Sequence, residues 1–234
     1  FMIRLYLYLI KTDSDVIHSH IHINILSQII ASIIAGKKFV WTIHGEYELS
    51  KLTQILVRIF HSIISSTRLI IIGDSRHALE GTLPYLQNQQ NSKGIIISTG
   101  IDLDVFVKKR NSLEIRIKYK IPPNTILIGS TGRIVWQKGY DQLISLLNNF
   151  NFSQKQIHFI IAGDGSLKNH YIREIKESGI SDQISFIGNI IDVPKFLLAL
   201  DIYIQPSVTE GFPLSVLEAM AAGLPIICSD AGGL

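Results

Sequence analysis

The chain has 234 residues, of which 47% are hydrophobic and 18% charged, and its formal net charge is +3. This length and apolar content allow one large or two small domains with a buried core, and the mild charge without a basic, aromatic-rich run argues against a nucleic-acid binder. The single Cys228 excludes an internal disulfide and fits a reducing compartment.

Apolar stretches of strand and helix character alternate along the first half of the chain. We predict strands at 16–19, 39–43, 69–72 and 94–98, and helices at 2–11, 24–35, 49–66 and after Ser75, which is placed to cap the last of them. Arg58 and His61 interrupt the apolar residues of 49–66, so we interpret that helix as core-facing or at an interface and predict no membrane span.

Histidines stand at the ends of two predicted strands in this half. His44 directly follows the 39–43 strand. His18, His20 and His22 alternate, so a strand would place all three on one face. A metal site is one interpretation of that face, but no nearby cysteine or pair of carboxylates completes it, and we predict no metal.

The second half repeats the alternation after a charged stretch. We predict strands at 126–131, 158–162, 184–187, 202–205 and 226–228, with helices at 140–149, 167–178, 193–200 and 213–222 between or after them. Two successive blocks predict two Rossmann-like lobes, 1–105 and 125–234, joined by a crossover at 106–124 that contains a short helix. Ligands of such sheets bind beyond the carboxyl ends of the strands.

Two strand ends of the second lobe carry phosphate-binding residue types. Arg133 and Lys138 follow the 126–131 strand, and a guanidinium and an ammonium suit the oxygens of a diphosphate. Two solvated surface cations remain the alternative. Gly163 and Gly165 follow the next strand and could belong to a dinucleotide-binding fingerprint. That fingerprint would need glycine where Lys168 stands, so a tight turn without a ligand is the alternative interpretation.

The segment from Glu210 to Pro225 places two carboxylates around a predicted helix start. Seven residues separate Glu210 from Glu218, and Pro213 suits the first helical position. At about 1.5 Å per residue the two carboxylates lie roughly 10 Å apart, too far for a retaining glycosidase pair at about 5 Å. A ligand with hydroxyls at both ends and an anion between them fits better, as in a nucleotide sugar, while a capped helix with two solvated glutamates remains the alternative.

The segment 207–233 resembles the nucleotide-sugar motif of family 4 (group 1) retaining glycosyltransferases, which have the GT-B fold. The Gly132-Arg-Ile-Val-Trp-Gln-Lys-Gly139 segment and the Trp-Thr-Ile-His-Gly stretch around His44 are similar to further family motifs. The resemblance implies that Glu218 holds the donor ribose, and that Glu210 and His44 lie at the transferred sugar and the reacting centre. It also implies the remaining site: Arg133 and Lys138 at the departing diphosphate, Gly211, Phe212 and Pro213 at the helix start, Gly163 and Gly165 near the nucleotide, and His20 and Ser75 in the cleft.

The resemblance implies an α/β fold of two Rossmann-like lobes, both incomplete, with an acceptor-side N-terminal lobe, a donor-binding C-terminal lobe and a cleft between them. The implied reaction moves a hexose-type sugar to a hydroxyl acceptor with retention, in cell-envelope polysaccharide or glycolipid synthesis. It needs a nucleotide-sugar donor, a saccharide or lipid-linked acceptor, no cofactor and no metal, in the cytoplasm or at the inner membrane surface. A sugar-nucleotide epimerase, a non-catalytic nucleotide-sugar binder and an inactive fragment are the open alternatives.

Overall fold

The computed structural model describes residues 1–20, 23–45, 47–63, 68–84, 94–107, 113–150, 152 and 156–234. The chain divides into two compact units. The first is Phe1–Thr99 together with Gly233, and the second is Gly100–Gly232 together with Leu234. No helix in the described ranges is long and apolar enough to cross a membrane.

The first unit is a four-stranded parallel sheet with helices on it, in the strand order β1-β2-β3-β4. Its elements are α1 Met2–Leu9, β1 Val16–Ser19, α2 Ile25–Ile34, β2 Lys38–Ile43, α3 Lys51–Ile63, β3 Leu69–Gly73, α4 Arg76–Thr82 and β4 Gly94–Ile96. Alternate residues of β2, namely Phe39, Trp41 and Ile43, are fully buried and form the centre of the core. The side chain of Ser75 caps α4 by accepting the N–H of Ala78.

The second unit is a five-stranded parallel sheet in the order β7-β6-β5-β8-β9. Its elements are α5 Asp104–Val107, α6 Leu113–Lys118, β5 Ile126–Thr131, α7 Tyr140–Asn148, β6 Ile157–Ala162, α8 Lys168–Glu177, β7 Ile184–Gly188, α9 Val193–Leu197, β8 Ile202–Gln205, α10 Leu214–Ala221 and β9 Ile226–Cys228. Successive residues of β5 face opposite sides of the sheet, so Ile128 joins one apolar core and Leu127 the other. Both faces are therefore covered, as parallel sheets require.

The predicted α/β class with two helix-wrapped parallel sheets is confirmed. Two local details were missed: the one-turn helix α5 and a 3₁₀ turn at Trp136–Lys138. The prediction that Pro213 opens the last helix is wrong, because its ψ of 91° is extended and its carbonyl accepts the first helical bonds. The end of the predicted 49–66 helix lies outside the described residues, and the crossover at 106–124 stays a prediction.

Candidate functional site

The loops that leave β5 and β8 in the second unit pack directly on each other. Gly139 has φ +64°, and a Cβ there would lie 1.9 Å from the carbonyl oxygen of Pro206. Only glycine tolerates both that backbone conformation and that approach. The N–H of Val208 donates to the carbonyl of Gln137 across 2.9 Å and fixes the same contact. The carboxyl ends of these two strands therefore form one surface.

An ion pair bridges the two loops at that surface. Lys138 Nζ lies 2.7 Å from Glu210 Oε1, and the two side chains are only 16% and 11% exposed. The 3₁₀ turn that ends at Lys138 and the close approach at Gly139 carry the lysine to the β8 loop. Two of the residues predicted from the sequence as site residues are thus brought into contact, at a separation of 72 positions in the chain.

Two further side chains, at the end of β8 and just after it, donate to the same carboxylate oxygen of Glu210. Gln205 Nε2 lies 3.0 Å and Ser207 Oγ 2.6 Å from Oε1. The hydroxyl of the buried Tyr203 donates to Gln205 Oε1 at 2.8 Å, which turns the amide nitrogen toward Glu210. Burial raises the pKa of Tyr203, so its hydroxyl stays protonated as a donor. Within the described ranges no group bonds to Oε2 of Glu210, so that oxygen can accept from a ligand.

The predicted glycine turn after β6 is held against the β5 loop by close backbone contacts. Gly163 has φ +146°, and a Cβ there would lie 1.8 Å from the carbonyl oxygen of Gly132. A Cβ on Gly165 would lie 2.2 Å from the carbonyl oxygen of Ile134. Both glycines are therefore required for packing between loops, and their place beside Arg133 keeps them next to the site.

The side chain of Arg133 is exposed and has no hydrogen bond or ion pair to any described residue. It lines a cleft of about 280 Å³ together with Gly163, Asp164 and Asn189, at the carboxyl ends of β5, β6 and β7. An unpaired guanidinium beside several strand ends offers a planar fork of donors to a phosphate.

The start of α10 offers backbone donors beside Glu210. The N–H groups of Gly211, Phe212, Leu214 and Ser215 have no acceptor among the residues that the structure describes. Together with the positive end of the helix dipole they favour an anion at this point.

Glu218 lies inside α10 and is partly buried, and its carboxylate has no ion-pair or hydrogen-bond partner in the described part of the chain. Burial raises its pKa. It lines a second cleft of about 530 Å³, with Phe106, Ile191 and the carboxylates of Asp102 and Asp192. Those two aspartates bond to the N–H groups of Asp104 and Lys195, whereas Glu218 is left to accept from a ligand.

In the first unit, three polar side chains follow neighbouring strands. His20 Nδ1 lies 2.7 Å from His44 Nε2, and His44 Nδ1 lies 3.4 Å from an oxygen of the buried Asp74. His20 and His44 were predicted from the sequence, and Ser75 caps α4 next to them. His22 lies outside the described residues. Among those described, no three histidine, cysteine, aspartate or glutamate side chains are placed so that they could hold a metal ion.

The sequence interpretation missed Asp74, Gln205 and Ser207. Asp74 and Ser207 follow parallel strands and Gln205 is the last residue of one, and this position at a carboxyl end is the signal that could have found them. In the second unit, cations and helix N–H groups stand beside carboxylate oxygens. This arrangement can bind a molecule that carries both an anionic group and hydroxyls.

A family model described as glycosyl transferases group 1 matches residues 111–234. The O-antigen biosynthesis glycosyltransferase WclY of Escherichia coli is 33% identical over 140 residues, which are 60% of this chain and 38% of that protein. The Escherichia coli UDP-Gal:alpha-D-GlcNAc-diphosphoundecaprenol alpha-1,3-galactosyltransferase is 28% identical over 243 residues, 99% of this chain and 62% of that protein. The chain thus spans less than two thirds of the length of these relatives.

The fold is also similar to that of solved glycosyltransferase structures. Anabaena HepE, crystallised in complex with UDP, superposes with a TM-score of 0.80 at 21% identity, over 99% of this chain and 64% of that one. At 21% identity, this structural similarity establishes a shared fold and nothing beyond it.

Proposed function

The chain belongs to the glycosyl transferases group 1 family, with the GT-B fold, and from this premise we propose that the protein transfers a hexose-type sugar from a nucleoside-diphosphate sugar to a hydroxyl acceptor, with retention of configuration. The observation that carries the proposal is the Lys138–Glu210 pair at 2.7 Å, which joins two strand ends beside the unpaired Arg133. A cation, a carboxylate and free N–H groups are the groups that a nucleotide sugar requires.

We assign the donor diphosphate to the cationic side of the site. Lys138 uses one of its N–H donors on Glu210, which leaves two for phosphate oxygens. Arg133 and the free N–H groups at the start of α10 add fixed positive charge. Such preorganised donors stabilise the negative charge that develops on the departing nucleoside diphosphate, so the reaction as proposed needs no metal ion and no cofactor.

The two glutamates receive the hydroxyls at the two ends of the donor. Glu210 Oε2, which has no partner among the described residues, accepts from the transferred sugar. Glu218 accepts from the ribose, in the 530 Å³ cleft where its carboxylate stands unpaired. The two carboxylates differ in their surroundings, since one cation and two neutral donors bond to Glu210, whereas no described residue donates to the carboxylate of Glu218.

The proposed acceptor is a saccharide or lipid-linked saccharide of cell-envelope synthesis. The names of the two Escherichia coli relatives, an O-antigen enzyme and a diphosphoundecaprenol-dependent galactosyltransferase, support this setting. An exposed stripe on α3 made of Leu52, Ile55 and Ile59, with Lys51 at its start, supports peripheral contact with the inner membrane surface from the cytoplasm.

A donor panel tests the proposal. The protein is incubated with UDP-linked and GDP-linked hexoses, each with and without a diphosphoundecaprenol-linked sugar, and the products are analysed by mass spectrometry. We expect an added hexose on the acceptor with one donor. An epimerised donor in the absence of acceptor would instead establish an epimerase, and binding without any product would establish a nucleotide-sugar binder.

A further inference from the structure

Three polar residues stand in line at one edge of the first unit's sheet. His20 follows β1 by one residue, His44 follows β2 and Asp74 follows β3. These strands are neighbours, parallel and in register, with Ser19 paired to Trp41 and Ile43 paired to Gly73. The sheet therefore sets the spacing of the three side chains.

Asp74 is the buried end of this line. It is 4% exposed, and its backbone N–H is fixed by a 3.1 Å bond to the carbonyl of Ile43. Its Oδ2 lies 3.4 Å from Nδ1 of His44, whose side chain is 41% exposed. Burial raises the pKa of Asp74, and the neighbouring His44 opposes that shift. A proton on Nδ1 of His44 that points at the carboxylate of Asp74 satisfies both groups.

We propose that Asp74 is a positioning residue that sets the direction of the hydrogen bonds along His44 and His20. By accepting from Nδ1–H of His44, it leaves Nε2 of His44 as an acceptor. That nitrogen, at 2.7 Å, then receives the Nδ1 proton of His20. Because a neutral imidazole carries one proton, His20 must present Nε2 as an acceptor at the exposed end of the line.

An acceptor nitrogen at this point complements a hydroxyl group of a ligand. Nε2 of His20 has no partner among the described residues, and the ring is exposed. Partial desolvation, and then the neighbouring His18 and His44, lower the pKa of His20, which favours the neutral ring. His18 itself is held by Thr42 at 2.7 Å. That the hydroxyl belongs to a saccharide rests on the proposed function, whereas the hydrogen-bond direction does not.

Nitrogen NMR tests the direction on the protein labelled with ¹⁵N-histidine, at a pH where the imidazoles are neutral. The signals of His20 and His44 are assigned by their loss in His20→Asn and His44→Asn. We expect both rings to carry the proton on Nδ1 in the wild type. In Asp74→Asn, whose amide donates to His44, we expect both rings to carry it on Nε2 instead.

Ser75→Ala is the matched control, because it removes the cap of α4 and the hydroxyl that hydrogen-bonds Asp74, but leaves the carboxylate that faces His44 in place. We expect it to leave both tautomers as in the wild type. Tautomers that do not change in Asp74→Asn, or that change equally in Ser75→Ala, would overturn the proposal. Since the readout needs no substrate, it stands even if the donor panel yields no transfer.

Discussion

Lys138 and Glu210 form an ion pair of 2.7 Å that ties the loop after β5 to the loop after β8, between residues 72 positions apart. Gln205 and Ser207 donate to the same oxygen, so the other carboxylate oxygen of Glu210 remains for a ligand. The pair therefore has two consequences: it stabilises the contact between two loops, and it holds a cation and a carboxylate side by side.

Lys138→Met tests whether the ion pair with Glu210 stabilises the contact between the two loops. It leaves the mostly buried Glu210 without its cation, and because Gln205 and Ser207 still donate, we expect a loss of about 2 kcal/mol, less than for a fully buried pair. Hydrogen exchange of the amides in β5 and β8 measures the loss within the second unit. Lys168→Met breaks the pair with the half-exposed Asp164 and should cost much less, because solvent screens that pair. Equal losses in the two variants would contradict the prediction.

Gly139→Ala tests the close approach of the two loops. The new Cβ would lie 1.9 Å from the carbonyl oxygen of Pro206, so the β8 loop must move, and we expect a loss of about 3 kcal/mol or more. Gly179 is the matched control, because its φ of +73° is similar but a Cβ there meets nothing within 4 Å. Gly179→Ala should cost only the left-handed backbone strain of about 1 kcal/mol. Thermal unfolding compares the two variants. Equal decreases in their melting temperatures would contradict the close contact between the loops.

Glu218→Gln tests whether Glu218 is kept for binding at the expense of stability. Burial raises the pKa of Glu218 in the folded state, so its ionised form destabilises the fold at neutral pH. We expect Glu218→Gln to raise the melting temperature near neutral pH, with a gain that shrinks as the pH falls through that raised pKa. Calorimetry across this range measures it, with Glu177→Gln on the exposed side of α8 as the control. A variant that gains stability and still binds nucleotide normally would remove Glu218 from the site.

Glu210→Gln separates the two glutamates by their roles. The amide keeps the size of the side chain but loses the charge that orients the sugar at the reacting centre, so we expect kcat to fall about a hundredfold. The Kd of the nucleoside diphosphate should change less than threefold, because Arg133 and Lys138 remain. Steady-state kinetics with the active donor measures the first quantity and titration calorimetry the second. An unchanged kcat would contradict the assignment of Glu210.

The fold could be predicted from the sequence because its signals are local. Each strand of the second unit is a short apolar run, and Gly223, with φ +74°, follows the end of α10, where glycine commonly ends a helix. Pro213 shows the limit of that reasoning, because its ring fixes φ and leaves ψ open. Its extended ψ of 91° shifts the start of α10 to Leu214.

The site could be predicted only one residue at a time. Arg133, Lys138, Glu210 and Glu218 follow from strand ends and from the family resemblance, and their roles remain predictions. The Lys138–Glu210 pair depends on β5 lying beside β8, which are not consecutive strands, so no local pattern encodes it. The line from His20 to Asp74 likewise requires the register of three strands.

Nucleoside-diphosphate binding tests the central claim most directly. Titration calorimetry with UDP and with GDP is carried out on the wild type, on Arg133→Ala and on Arg173→Ala, which removes an exposed arginine from α8. We expect one of the two nucleotides to bind the wild type, about ten- to a hundredfold weaker binding in Arg133→Ala, and no change in Arg173→Ala. Binding of neither nucleotide, or equal affinity in all three proteins, would contradict a donor site at these strand ends.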